Sequence, residues 1–310
     1  MMKRIIFFLL IGFISLTGIF AQIRYTVIPD SPRPGDPVTI GSFTSIKEAV
    51  LIVNERQVAR AAGFLVPAEN GQPSFTAAIL TVPTTVESGD AVIRLNNDVG
   101  IFLEIPIVIA HRSFRSETIS LTPSLTSLVS DPNPERTAES ERLWAILNTT
   151  GSQIYHTGTF ILPVRSTRRT SLFGTRRVNQ YSDGRSVTSI HAGVDFGVPT
   201  GTEVRACGRG RVVLSRMRIL TGFSIVLEHA PGVYSLYYHL DRVIARENTI
   251  VETGALIGLS GSTGFSTGPH LHWEIRVSSE NTDPDVLVAR PLIDKALIIS
   301  RIFNEDEKTN

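Results

Sequence analysis

Two of the chain's seven histidines are separated by a single residue near its carboxyl-terminal end, after a Gly-Pro turn and inside an apolar run. They are His270 and His272, in the stretch STGPHLHWEI that covers residues 266–275. Residues two apart lie on the same face of a strand, whereas on a helix they diverge. Apolar and polar residues alternate here, which predicts a strand whose back, including Trp273, lies in a core and whose front presents both imidazoles. Paired imidazoles indicate either a metal site or acid–base chemistry.

A second stretch, SIHAGVDFGVP at residues 189–199, offers a histidine and a carboxylate four positions apart. If this stretch is a strand, His191 and Asp195 share a face. Zinc accepts imidazole nitrogen and carboxylate oxygen, and catalytic zinc sites combine three protein ligands with a water. His191, Asp195 and one histidine of the later pair would supply that set. Either motif alone arises by chance, but the two together, each flanked by glycine, are more specific.

Four segments carry a resemblance to a known family. They are, in order, SLFGTRR, HAGVDFGVPTGTEVRACGRGRVV, GFSIVLEHAPGVYSLYYHLDRV and GLSGSTGFSTGPHLHWEI. Their order and approximate spacing resemble the M23 family of zinc metallopeptidases, the lysostaphin/LytM-like domain. The resemblance covers about residues 160–290 and does not extend to the front half of the chain.

The resemblance implies a role for each residue of these motifs. In the family, the His-x-x-x-Asp pair and the second histidine of His-x-His bind one zinc ion; here those residues are His191, Asp195 and His272. The histidine of the Tyr-rich strand and the first histidine of His-x-His act beside the metal; here they are the catalytic candidates His239 and His270. The implied fold is a largely antiparallel β-sheet with a groove.

The chemistry can also be argued from the residues themselves. Zinc lowers the pKa of a bound water toward about 7 and polarises a carbonyl group. Peptide hydrolysis then needs proton transfer from the attacking water and to the leaving amine, and histidine titrates near neutral pH. The sequence contains no His-Glu-x-x-His helix motif and therefore offers no glutamate base of that kind. Two histidines that do not bind the metal would serve instead.

The amino-terminal residues have the form of a secretory signal peptide. A short cationic segment, MMKR, precedes an apolar run over residues 5–20, and Ala21 offers a cleavage point. The run is shorter than the ~20 residues that a membrane-spanning helix needs, although an uncleaved anchor is the alternative. An exported protein, periplasmic or associated with the cell wall, is predicted, with no stable membrane span after cleavage. The single cysteine, Cys207, excludes an internal disulfide framework.

The remaining sequence predicts an all-β chain with a short helical linker. Apolar runs between Gly-, Pro- and Asn-rich turns are typical of a β-sandwich, immunoglobulin-like in architecture only, that carries no catalytic residues. In the Ser/Thr/Asn/Pro-rich linker, Asn133 and Pro134 mark the start of one helix and Gly151 lies past its end. The predicted boundaries are 1–21 for the signal peptide, 22–113 for the sandwich, 114–158 for the linker, 159–290 for the metallopeptidase domain and 291–310 for a carboxyl-terminal tail.

These observations together predict an exported zinc endopeptidase that cuts the peptides of bacterial peptidoglycan. One alternative is a catalytically inactive LytM-like regulator or wall-binding module that activates other cell-wall hydrolases, and another is a zinc peptidase acting on proteins. Charges nearly balance, with 30 basic and 29 acidic residues, which gives no case for a nucleic-acid partner. The oligomeric state is not fixed by the sequence. We expect the front half to position or restrain the catalytic domain, because a long linker before a groove could cover it.

Overall fold

The computed structural model of the chain describes residues 23–304. Within this range strands dominate and helices are few, so the predicted all-β class is confirmed. The signal peptide predicted for residues 1–21 falls outside the described range. None of the helices between residues 23 and 304 is long and apolar enough to cross a bilayer.

The front of the chain forms two four-stranded antiparallel sheets. Their strands are β1 (Tyr25–Ile28), β2 (Pro37–Ser42), β3 (Glu48–Val53), β4 (Arg56–Ala62), β5 (Phe64–Val66), β6 (Phe75–Thr81), β7 (Gly89–Asn96) and β8 (Ile101–Ile109). The strand orders are β1-β2-β6-β5 and β4-β3-β7-β8. Residues of both sheets, among them Ile40, Leu80, Leu51 and Ile93, are fully buried in one apolar core. The immunoglobulin-like likeness of this unit stays a prediction.

The segment after the two sheets contains one strand and two helices: β9 (Ser116–Ser120), α1 (Pro123–Ser130) and α2 (Pro134–Leu147). The prediction of a single helix here was wrong, because α1 was hidden in the Ser/Thr-rich composition. Its start has the same signal as that of α2, since Thr122 Oγ1 accepts a hydrogen bond from Leu125 N and proline follows the cap. The predicted Asn133 cap of α2 is present.

The second half of the chain builds a ten-stranded sheet and a small three-stranded one. The strands are β10 (Arg169–Ser171), β11 (Arg176–Gln180), β12 (Ser186–Ile190), β13 (Val194–Phe196), β14 (Glu203–Arg205), β15 (Gly210–Arg218), β16 (Gly222–Ala230), β17 (Val233–Val243), β18 (Ile250–Val251), β19 (Leu256–Ser260), β20 (Leu271–Val277) and β21 (Glu280–Thr282). The large sheet runs β10-β13-β20-β17-β16-β15-β18, with β14, β19 and β21 paired beside this path. The small sheet runs β12-β11-β9, so the linker strand belongs to it.

Adjacent strands of the large sheet place the motif residues side by side. Asp195 of β13 is paired with His272 of β20, and His272 is paired with Tyr238 of β17. The back of β20 is apolar and fully buried, as the alternation predicted, and Trp273 lies there. Its front is buried as well, since His272 is only 7% exposed. The sheet thus brings together residues that lie far apart in the sequence.

The carboxyl-terminal residues return to the front half of the chain. After α3 (Pro284–Ala289), the helix α4 (Lys295–Asn304) lies on β1 and β2. Ile298 and Ile302 are fully buried. A Cβ atom on Gly41 of β2 would lie 2.5 Å from Ile298 Cγ2, which shows how closely the helix approaches the strand. Residues 291–304 are therefore part of a core that includes the front half, not a free tail.

Candidate metal centre

Three buried side chains converge on one point at the β13–β20 edge. His191 Nε2 lies 3.1 Å from Asp195 Oδ1 and 3.0 Å from His272 Nδ1, and His272 Nδ1 lies 2.7 Å from Asp195 Oδ1. Within residues 23–304 this is the one group of His, Cys, Asp or Glu side chains whose donor atoms cluster within 4.8 Å of one another. The three predicted ligands are therefore brought together.

His191 and Asp195 reach this point from two strands, not from one face of a single strand as the spacing suggested. His191 follows the end of β12, a turn intervenes, and Asp195 is the central residue of β13. Gly193 permits the turn, because a Cβ atom there would lie 2.2 Å from the carbonyl oxygen of Trp273. The convergence is thus produced by close packing of the turn against β20.

Hydrogen bonds on the outer side of each imidazole fix its tautomer. His191 Nδ1 lies 2.9 Å from the carbonyl oxygen of Leu172, which can only accept, so this nitrogen carries the proton. His272 Nε2 donates to Glu274 Oε1 at 3.0 Å, and Arg276 Nε donates to the other oxygen of Glu274 at 2.9 Å. The remaining nitrogen of each ring therefore directs a lone pair at the common point. Two imidazole nitrogens and one carboxylate oxygen fit a single zinc ion.

The charges around the cluster favour a cation at its centre. Burial would raise the pKa of Asp195, but its contacts with His191 and His272 hold that pKa well below its usual value. Burial would lower the pKa of His272, yet Asp195 and Glu274 raise it to about 9. Burial also lowers the pKa of His191. In the metal-free protein a proton on His272 would satisfy the carboxylates, and zinc must displace it because metal ligands bind deprotonated.

The two catalytic candidates lie against this cluster. The His239 and His270 ring centroids are 4.8 Å apart, and His270 Nε2 is 3.9 Å from Asp195 Oδ1. Each ring donates from Nδ1 to a backbone carbonyl at 2.8 Å, His239 to Thr263 and His270 to Gly268. Their Nε2 atoms are thereby left to accept protons on the cavity side.

A backbone irregularity orients His239. Its φ is +60°, a left-handed conformation that is uncommon outside glycine, within β17. The β16–β17 register shifts between the Phe223 and Ile225 pairs, so β17 carries an extra residue there. Such bulges redirect a side chain and concentrate near active sites. Burial, with the neighbouring His270 and His272, lowers the pKa of His239 to about 3, so its ring is neutral near pH 7.

A cavity of about 260 Å³ opens over the cluster and both catalytic candidates. Its walls include two linker residues, Ile119 of β9 and Val129 of α1. A larger cleft of about 920 Å³ lies between the sandwich and the end of α2, but it holds no comparable group of metal-binding side chains. The donor chemistry, not the size of the cavity, locates the site.

Sequence reasoning missed several residues of the site. Glu274 was not among the predicted site residues, although its place two residues after His272, on the same face of the strand, was the available signal. Arg177 donates to Asp195 Oδ2 at 2.9 Å, whereas the neighbouring Arg176 donates to the backbone carbonyls of Thr84 and Gly174. No local pattern distinguishes the two arginines.

Residues 189–284 match the model described as Peptidase family M23. The DD-carboxypeptidase/endopeptidase Mpg of Neisseria meningitidis serogroup B is 39% identical over 131 residues, which are 42% of this chain and 29% of that protein. The peptidoglycan DD-endopeptidase ShyA of Vibrio cholerae is 41% identical over 87 residues, 28% of this chain and 20% of that protein. The chain thus spans less than a third of the length of either relative. A crystal structure of a peptidase M23 from Pseudomonas aeruginosa covers 83% of this chain and 94% of its own with a TM-score of 0.58 at 19% identity, which shows a shared fold.

Proposed function

Because residues 189–284 form a domain of peptidase family M23, we propose that the chain is an exported zinc-dependent endopeptidase that hydrolyses peptide bonds of bacterial peptidoglycan. The observation that carries the proposal is the intact cluster of His191, Asp195 and His272, with two further histidines beside it. The names of the meningococcal and Vibrio relatives support the substrate class. An inactive regulator would need neither the complete donor set nor the outer hydrogen bonds that orient it, so that alternative is not favoured.

The residues of the site divide the work of hydrolysis. A zinc ion held by the cluster would activate water and polarise the scissile carbonyl group. His239 and His270 present unprotonated Nε2 atoms to the same cavity, where one takes a proton from the attacking water and an imidazolium returns one to the leaving amine. Because burial and the neighbouring imidazoles lower the pKa of His239 to about 3, its ring is neutral near pH 7 and readily passes on a proton that it accepts during the reaction.

The substrate class also supports a location outside the cytoplasm. Peptidoglycan lies in the cell envelope, and the amino-terminal residues have the form of an export signal. We therefore propose a periplasmic or wall-associated enzyme, with the mature chain beginning near residue 22. Amino-terminal sequencing of protein recovered from a bacterial envelope fraction would test this location.

Digestion of purified sacculi tests the proposed function. The purified chain should release soluble fragments from the sacculi. The masses of these fragments should show that a peptide bond has been cleaved and that the glycan strands are intact. Removal of zinc with a chelator should stop the release, and one equivalent of zinc should restore it, because the domain offers a single three-ligand site. Cleavage of an unfolded protein substrate with no release from sacculi would favour a protein-directed peptidase instead, and metal-independent release would contradict the proposal.

Replacing Glu274 by alanine should weaken zinc binding by about 10- to 100-fold, the usual effect of removing an outer hydrogen bond to a metal-binding histidine. Without this acceptor, His272 Nε2 no longer has a partner that fixes its tautomer. Glu274→Gln keeps an acceptor oxygen and should retain more of the affinity. Competition with a zinc-binding dye measures the zinc affinity of both variants, and thermal unfolding shows whether losing the Arg276–Glu274 bond has destabilised the fold. Equal affinity in the alanine variant and the parent would remove Glu274 from this role.

A further inference from the structure

The linker strand β9 runs along the edge of the metal cavity. It pairs in parallel with β11, from Ser116 opposite Arg176 to Ser120 opposite Gln180. Its exposure alternates, and the two half-buried side chains are Glu117 and Ile119, whereas the three others are exposed. Because alternate residues of a strand share a face, the groove-facing side of β9 presents one carboxylate and one apolar side chain.

The Glu117 carboxylate is tied to the metal cluster through single residues. Glu117 Oε1 accepts from Arg177 Nε at 2.6 Å, and Arg177 Nη2 donates to Asp195 Oδ2 at 2.9 Å. The same oxygen accepts from Ser171 Oγ at 3.0 Å, and that hydroxyl lies 3.2 Å from His191 Nδ1. A carboxylate from the linker is thus connected to two of the three predicted ligands, each through one intervening side chain.

The hold on β9 is polar and shallow. None of its five residues is buried, and the strand is held by its backbone ladder, the Glu117–Arg177 ion pair and the Ser171–Glu117 hydrogen bond. The nearest buried apolar anchor is Leu121, which directly follows the strand. The following helix α1 is attached to the turn of the β11–β12 hairpin, where Thr126 Oγ1 accepts from Ser182 N at 3.0 Å. Segments with few buried apolar contacts open at low free-energy cost. Opening here would uncover the side of the cavity that Ile119 lines and would release Arg177 Nε from Glu117, while Arg177 Nη2 stays bonded to Asp195.

We propose that β9 is a displaceable stand-in for the substrate, and that Arg177 is the specificity-determining residue that binds a free carboxylate of the substrate peptide once Glu117 withdraws. An extended peptide can add to the exposed edge of β11 through the same backbone bonds. Arginine binds carboxylates in a fixed fork geometry, so a substrate carboxylate can replace that of Glu117. The inference rests on the proposed function, since it names the chemistry of the peptide that the metal site would cut.

A reversible disulfide tests the displacement. Thr118 and Val178 are register partners on β9 and β11, and neighbouring strands about 4.8 Å apart suit a disulfide. The full chain carrying Thr118→Cys and Val178→Cys should lose sacculus hydrolysis when oxidised and regain it when reduced. The native Cys207 is buried and does not compete. The matched control, Asn179→Cys with Val187→Cys, ties β11 to β12 and leaves β9 free, so oxidation should not change its activity.

A second experiment tests whether a substrate carboxylate replaces that of Glu117 on Arg177. Glu117→Gln removes the competing charge and should raise kcat/KM roughly tenfold, as expected for loss of a charge-assisted hydrogen bond that closes the groove. Soluble cross-linked peptidoglycan fragments whose carboxyl groups have been converted to amides should then show a higher KM than the unmodified fragments. In Arg177→Gln that difference in KM should vanish, and zinc content measured on the same samples separates this effect from damage to the metal site.

The outcomes separate the inference from the function. Equal activity of the β9-locked pair in its oxidised and reduced states, with an active control pair, would overturn the displacement. An amidation effect of the same size in Arg177→Gln would overturn the role of Arg177. If no variant hydrolyses sacculi, the proposed function fails. The displacement of β9 is then tested separately, by calorimetric binding of the fragments to metal-depleted protein. Binding to the reduced and not to the oxidised pair would then support it, and equal binding to both would contradict it.

Discussion

Replacing His191, Asp195 or His272 by alanine should remove zinc from the purified protein and reduce sacculus hydrolysis to background. Each supplies one of three donor atoms that lie about 3 Å apart at one buried point, so two donors remain after any substitution. The loss of zinc affinity should exceed the roughly 100-fold upper range for residues that act only through a ligand. Metal analysis and turnover on the same three variants measure the effect.

The control for these variants is His111→Ala, an exposed histidine just after β8 that contacts Ser113. It should keep its zinc and its activity. Thermal unfolding separates loss of the ion from loss of the fold. A variant that has lost only its zinc should unfold with a midpoint close to that of the parent protein treated with a chelator. A ligand variant that retains one equivalent of zinc would exclude the replaced residue from the site.

The metal cluster was predictable because its elements carry local patterns. The alternation around His272 predicts a strand, and the apolar back of that strand is buried as expected. The resemblance to the M23 family then implied that His272, and not His270, is the metal ligand of the pair. What the pattern did not reveal is that His191 lies just after β12 while Asp195 lies in β13, because the intervening turn depends on packing of Gly193 against Trp273.

Contacts between distant segments were beyond the sequence. The approach of Glu117 to Arg177 joins residues 60 positions apart, and neither carries a motif. The position of α4 on β2 likewise depends on Ile298 packing over Gly41. Both are long-range consequences of how the two halves of the chain pack, and a single sequence contains no periodicity that reports them.

Replacing His239 or His270 should leave zinc bound and reduce turnover by about 10²- to 10⁴-fold, the contribution of a positioned acid–base group. Neither ring is needed to complete the three-donor set, yet both face the cavity beside it. The variant His239→Asn is preferable to alanine, because asparagine tolerates the left-handed backbone at φ +60°. For His270, alanine suffices. Turnover, KM and zinc content are measured on the same preparations.

Comparing the His270 and His272 variants tests whether the two histidines, which are separated by one residue, have different roles. His272 lies in β20 and His270 immediately precedes that strand, where it forms an isolated bridge with Gly261. His272 Nδ1 is 2.7 Å from Asp195 Oδ1, whereas His270 Nε2 is 3.9 Å away. A ligand variant should lose zinc and activity together, and a proton-transfer variant should lose activity alone. If His270→Ala loses zinc while His272→Ala keeps it, the two assignments are reversed. A fall in kcat at full zinc occupancy would support a role in proton transfer. Near-normal kcat in either His239→Asn or His270→Ala would remove that residue from the mechanism.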